Sequence, residues 1–94
     1  MDFAINVRKN KMAEKITKKD FEMLYEIEFL NMNSIKSLSV NNTEKAVKIK
    51  LKEFEKKGWI NFEKNHPELF FLAKKGKDIL NDDQYNGWKE EIGY

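Results

Sequence analysis

Along residues 18–30, Phe21, Met23, Leu24, Ile27 and Leu30 cover most of a helical circumference, and Glu22 and Glu26 leave only a narrow polar edge. This spacing predicts a helix that is apolar nearly all round, hence the central and most buried one. Thr17 is suited to cap its start, with Asp20 three residues on in a near capping-box position. Glu28 falls inside the apolar arc and is expected to reach solvent or a lysine. In the next stretch, Asn33 or Ser34 suits the cap of a short helix with Ile35 and Leu38 on one side. Ser39, Val40 and Asn41 then read as a turn. A longer helix is predicted from Asn41 to Lys57, with Glu44 at the capping-box position and Gly58 as its stop.

After Gly58 the period changes from helical to alternating. Residues 59–63 (WINFE) read as a strand, residues 64–68 (KNHPE) as a turn, and residues 69–72 (LFFL) as the returning strand. A further short helix is expected over residues 74–80. Beyond it, Tyr85, Trp88 and Ile92 fall at i, i+3 and i+7, enough to lay one apolar edge on something. At the other end Phe3, Ile5 and Val7 alternate, as in a short strand or extended arm. The predicted class is therefore mainly α with a small β-hairpin (α+β), in the order of a winged helix-turn-helix. One domain would occupy residues 16–80, preceded by an arm (1–15) and followed by an acidic tail (81–94) that is packed or used in an interface.

The helix that follows the turn carries the candidate chemistry. On a helical wheel Val47, Leu51 and Phe54 cluster within about 60° and form the stripe to be buried. Lys45, Lys48, Lys52 and Lys56 cluster in a similar arc roughly opposite, with Ile49 beside them. A major groove admits one helix, its phosphates attract lysines, and its base edges are read by short side chains near the helix N-terminus. Asn41, Asn42, Thr43, Lys45, Ala46 and Ile49 are the residue types for such reading, asparagine for adenine and isoleucine for a thymine methyl. The hairpin tip, Lys64, Asn65 and His66, would then be a wing reaching a neighbouring groove or phosphate, or else a plain solvated turn.

Charge refines this picture through its distribution. The formal net charge is only +2, but residues 8–19 hold six basic side chains against Glu14, and the four charges of residues 20–28 are all acidic. Eight lysines face four glutamates over residues 31–64, and five acids face Lys89 from residue 78 onward. Such blocks suit a molecule with a basic and an acidic face. Composition also narrows the chemistry. There is no cysteine and only one histidine, His66, so no thiolate or histidine-rich metal site is expected. No serine lies in a nucleophile elbow, no glycine-rich phosphate loop occurs, and Asp82-Asp83 and Glu90-Glu91 suit capping and solubility. The expectation is a non-enzyme without cofactor or metal. With no long apolar run and no secretory signal, a soluble cytoplasmic protein is expected.

The segment ITKKDFEMLYEIEFLNMNSIKSLSVNNTEKAVKIKLKEFEKKGWINFEKNHPELFFLAKKGKDIL resembles the winged helix domains of MarR-like regulators. It is also similar to small winged helix proteins of plasmid and phage replication-relaxation families. The pieces that carry the likeness are FEKKGWI, at the end of the long helix, and ELFFLAKKGKDIL, which is similar to a strand followed by T/A-x-K-G-x-x-L. The resemblance implies sequence-specific double-stranded DNA binding, in transcription regulation or in plasmid or phage DNA processing. Bases would be read by Asn42, Thr43, Lys45, Ala46 and Ile49, and the backbone held by Ser34, Lys36, Lys48 and Lys64. Winged helices also serve as protein-interaction modules, which is the alternative reading. Only fourteen residues follow Leu80, too few for the long dimerisation helices of MarR-like proteins. A homodimer would therefore draw on the N-terminal segment or on the Tyr85/Trp88/Ile92 edge.

Overall fold

The computed structural model describes residues 16–40 and 42–93; the predicted N-terminal arm, Asn41 and Tyr94 lie outside them. Five helices and one small antiparallel sheet make up the described chain: α1 (Lys18–Phe29), α2 (Ile35–Leu38), α3 (Glu44–Lys56), β1 (Ile60–Phe62), β2 (Phe70–Leu72), α4 (Lys74–Leu80) and α5 (Asn86–Ile92). A 3-10 turn, Asp83–Tyr85, leads into α5. The class is mainly helical α+β.

Helix α1 starts where the sequence places it. Thr17 is its cap, and its hydroxyl accepts the Asp20 N–H at 3.1 Å. The other half of the expected capping box is missing, because the Asp20 carboxylate is turned into the protein toward Lys50. Phe21, Met23, Leu24 and Ile27 are buried as expected, whereas Leu30 is half exposed at the C-cap and Glu22 and Glu26 are half-buried. Asn31 ends the helix in the left-handed region, φ +55°, and the Met32 N–H donates to the Glu26 carbonyl at 3.1 Å. Asparagine tolerates that conformation better than most residues. Glu28 is half-buried and lines a small open groove together with Phe29, Lys77, Leu80 and Asn81.

Between Asn33 and Ser34, the cap of α2 is Ser34, whose hydroxyl accepts the Ser37 N–H at 3.2 Å. Asn33 is committed to the sheet instead. Its amide donates to the Phe70 carbonyl at 2.8 Å, and its own carbonyl accepts the Phe70 N–H at 3.1 Å. Ser34 forms a bridge with Leu69. The entry to α2 is thereby stitched along the side of β2 that β1 leaves open. The hairpin pairs Ile60 with Leu72, Asn61 with Phe71 and Phe62 with Phe70. It is shorter than predicted at both ends. Ile60, Phe70 and Leu72 are buried while Asn61 and Phe71 face outward, the period-2 alternation read from the sequence.

The segment after Leu80 is an integral part of the fold. Asp82 accepts the Gln84 N–H at 3.0 Å and starts the 3-10 turn. Tyr85 and Trp88 stack at 5.0 Å and both lie against Phe21 of α1, with centroids at 5.3 and 5.6 Å. Lys18 and Glu91 close the same contact with an exposed ion pair. The aromatic edge is used within the chain.

Two glycines of α4 and α5 differ in what surrounds them. A Cβ on Gly76 would lie 2.3 Å from the Trp59 carbonyl oxygen, so α4 can approach the Trp59 backbone this closely only with glycine there. That is a physical reason for a glycine at this point of residues 73–80 (AKKGKDIL). A Cβ on Gly87 would meet nothing within 4 Å. Alanine gains about 1 kcal/mol over glycine in a helix, but forcing atoms into a packed contact costs about 1–3 kcal/mol, and a carbonyl cannot rotate away. In urea denaturation, Gly76→Ala is therefore expected to destabilise by about 1–2 kcal/mol and Gly87→Ala to stabilise by up to about 1 kcal/mol. Equal effects at the two positions would contradict the packing assigned to Gly76.

Candidate functional site

Helix α3 begins later than the sequence suggests. Its cap is Thr43, whose hydroxyl accepts the Ala46 N–H at 3.1 Å, and Glu44 is the first helical residue. Asn42 is drawn the other way: its amide donates to the Leu38 carbonyl at 3.3 Å, tying the turn to the end of α2. Three consecutive good capping residues made the start degenerate, and the competing bond of Asn42 helps to decide it. At the other end, the Gly58 N–H donates to the Glu55 carbonyl and the Trp59 N–H to the Phe54 carbonyl, with Gly58 at φ +79°. These two bonds are a Schellman closure, and the Phe54 and Trp59 rings, 5.3 Å apart, supply its apolar contact.

The predicted division of α3 is present. Val47, Leu51 and Phe54 are buried, with at most 2% exposure, while Lys45, Ala46, Lys48, Ile49, Lys52 and Lys56 are all exposed. Ile49 keeps 53% of its surface open among lysines. Lys36, on α2, is also exposed; Ser34 is half-buried, and its hydroxyl is shared between the Ser37 N–H and the Ser37 hydroxyl. At the hairpin tip Lys64, Asn65 and His66 are exposed beside two acids. His66 Nδ1 lies 3.5 Å from a Glu68 carboxylate oxygen, and Glu63 accepts the Asn65 N–H at 3.5 Å. The structure thus gathers Lys45, Ala46, Lys48, Ile49 and Lys52 on one open helix surface. Asn42 and Thr43 are engaged locally, and Asn41 lies outside the described residues.

One pair near this surface escaped sequence reasoning. Asp20, only 5% exposed, receives the Lys50 ammonium at 2.9 Å, and the same ammonium lies 3.6 Å from Glu53. Hydrogen bonding to Asp20 raises the Lys50 pKa above the ordinary lysine value. Its contribution to stability is therefore present at neutral pH and lost only as strongly alkaline pH deprotonates it. The wheel that flags Glu28 also sets Asp20 between Ile27 and Leu24, inside the buried arc. It sets Lys50 next to Phe54. A buried acid needs a partner, and that was the available signal.

An open groove of about 250 Å³ is lined by Lys19, Glu22, Met23, Glu26 and Asn42. Burial pushes the Glu26 carboxyl above its usual range, and Glu22 one turn away adds to the shift. Among the described residues no helix is long and apolar enough to cross a membrane, and no group of three metal-ligating side chains occurs. Compared with protein families, curated proteins and solved structures, the chain finds no match.

The sign of the Glu26 shift fixes a test. A carboxyl with a raised folded-state pKa opposes folding when ionised, and that cost disappears as pH falls through the folded value. Glu26→Gln should therefore raise the thermal midpoint at pH 7, with a gain on the order of the 0.2–0.5 kcal/mol of a like-charged helix pair. The gain should vanish near pH 3. A variant that is less stable at pH 7 would show that the carboxylate is used in the fold.

Proposed function

We propose that this chain is a winged helix-turn-helix protein that binds double-stranded DNA without catalysis, with α3 lying in the major groove. The observation that carries the reading is the surface of α3: four lysines and one isolated isoleucine, all exposed, opposite a fully buried stripe. The order of elements agrees with it. A short helix, a turn, a longer helix and a hairpin follow one another, and Asn33 and Ser34 extend the hairpin as the third strand of such a domain would. Lys45, Lys48, Lys52 and Lys56 supply attraction to phosphates, which is independent of sequence. Lys45, Ala46 and Ile49 lie in the first two turns, where a groove-bound helix meets base edges.

The geometry sharpens the division of labour. Asn42 and Thr43 hold the start of α3 and orient it, so base reading rests on Lys45, Ala46 and Ile49. Glu63 and Glu68 dilute the positive charge at the hairpin tip, so Lys64, Asn65 and His66 add less than the lysines of α3. The protein-interaction alternative places docking on the acidic tail or the Tyr85/Trp88/Ile92 edge; Tyr85 and Trp88 pack on Phe21 within the chain, which favours the DNA-binding reading. Regulation of transcription and processing of plasmid or phage DNA both remain within this reading, as does a cytoplasmic setting.

Fluorescence anisotropy with a mixed-sequence duplex at a series of salt concentrations tests the proposal. Affinity is expected to fall linearly on log–log axes as salt rises, and Lys48→Ala and Lys52→Ala should each flatten the slope by about 0.9. Lys64→Ala should change it less. Absence of duplex binding at low salt, or slopes unaffected by both α3 variants, would overturn the reading.

A further inference from the structure

We infer that the Asp20–Lys50 ion pair is a rotational pin for α3, holding Lys50 inward so that Lys45, Ile49 and Lys52 are the residues presented outward. The inference deepens the proposed DNA-binding role and rests on it for its meaning, but the pin itself is a property of the free protein.

The apolar stripe of α3 is narrow. Successive residues turn by about 100°, so Val47, Leu51 and Phe54 span only about 60° of the wheel. A stripe that narrow resists sliding better than it resists a modest rotation. Its two borders are unlike. On one side stand Glu44 and Glu55, both exposed; on the other stands Lys50, held at 2.9 Å from a carboxylate with 5% exposure. Asp20 belongs to α1, which is fixed independently by Phe21, Leu24 and Ile27 in the core. The pair therefore refers the rotation of α3 to the most buried helix of the fold. Glu53, 3.6 Å from the same ammonium, completes the shell around it and is itself partly neutralised. The carboxylate of this pair is buried while the Lys50 side chain keeps 36% of its surface exposed. Buried ion pairs are seldom efficient sources of stability, and fixing one register among near-equal ones is their best-attested use.

The opposite role makes an opposite prediction. Were Lys50 a phosphate contact, Asp20 would compete with DNA for it, and Asp20→Asn would strengthen binding. As a pin, Asp20→Asn frees α3 to turn, and duplex affinity should fall about tenfold while the salt slope stays at the wild-type value. A tighter complex, or a slope flattened by about 0.9 in Lys50→Met, would overturn the inference.

A second readout needs no DNA. The chain has no native cysteine, so single substitutions Ala46→Cys and Glu55→Cys place one thiol on each border of α3. When Asp20→Asn is added, labelling at position 46 should become at least about twofold faster and at position 55 slower by a similar factor, as Lys50 swings outward by a fraction of the ~100° step. Unchanged rates, or equal acceleration at both positions, would mean loosening without rotation and would refute the pin. Should Asp20→Asn fail to fold, the exchanged pair Asp20→Lys with Lys50→Asp restores the contact and must restore the wild-type labelling pattern; a different pattern refutes the pin. If the wild-type protein binds no duplex, the proposed function fails while the labelling still decides the pin.

Discussion

Trp59 has no exposed surface; its backbone groups are hydrogen-bonded and its ring is packed. Its N–H closes α3 on the Phe54 carbonyl, its carbonyl accepts the Ala73 N–H at 2.8 Å, and its ring packs on Phe54. The backbone of α4 passes against that same carbonyl at Gly76. One residue thus joins the end of α3, the start of the hairpin and the entry to α4. The Lys57 ammonium lies 4.7 Å from the ring centroid, so even the last turn of α3 is folded onto it. If this junction loosened, α3 would keep its own hydrogen bonds but lose its fixed direction relative to the hairpin.

With its far end tied down, α3 needs only one apolar stripe to stay in place, and the rest of its circumference is released for polar work. That accounts for four lysines on a helix whose buried residues number three. Lys45, Lys48, Lys52 and Lys56 are all exposed on that surface. Lys50 stands apart from them because its charge is answered within the protein, by Asp20 and Glu53. The net charge of +2 hides this separation, since most of the acids lie on α1, on the hairpin and in the C-terminal segment, although α3 itself carries Glu44, Glu53 and Glu55.

Local signals were legible wherever a single residue type meets a single requirement. Thr17 at a helix start, Gly58 after a helix and the alternation of the hairpin each have one good structural reading, and each is realised. Legibility failed where several residues fit one role, as with Asn41, Asn42 and Thr43, or where a contact spans a long stretch of chain. Asp20 meets Lys50 thirty residues on, and Phe21 meets Trp88 more than sixty residues on. The wheel marks Asp20 as misplaced but cannot name its partner. It marks the Tyr85/Trp88/Ile92 edge as apolar but cannot say that the edge docks on its own chain. The outward face of α3 was the most legible part of the candidate site because exposure there follows from the buried stripe alone.

The central claim is that the outward face of α3 is the DNA-contacting surface, and lysine footprinting measures this most directly. The protein is acetylated briefly with and without a saturating mixed-sequence duplex at low salt, and each lysine is quantified by mass spectrometry. The account predicts strong protection of Lys45, Lys48 and Lys52, with Lys74 and Lys77 reacting at their DNA-free rates. Protection spread evenly over all lysines, or centred on α4 with α3 left reactive, would contradict it.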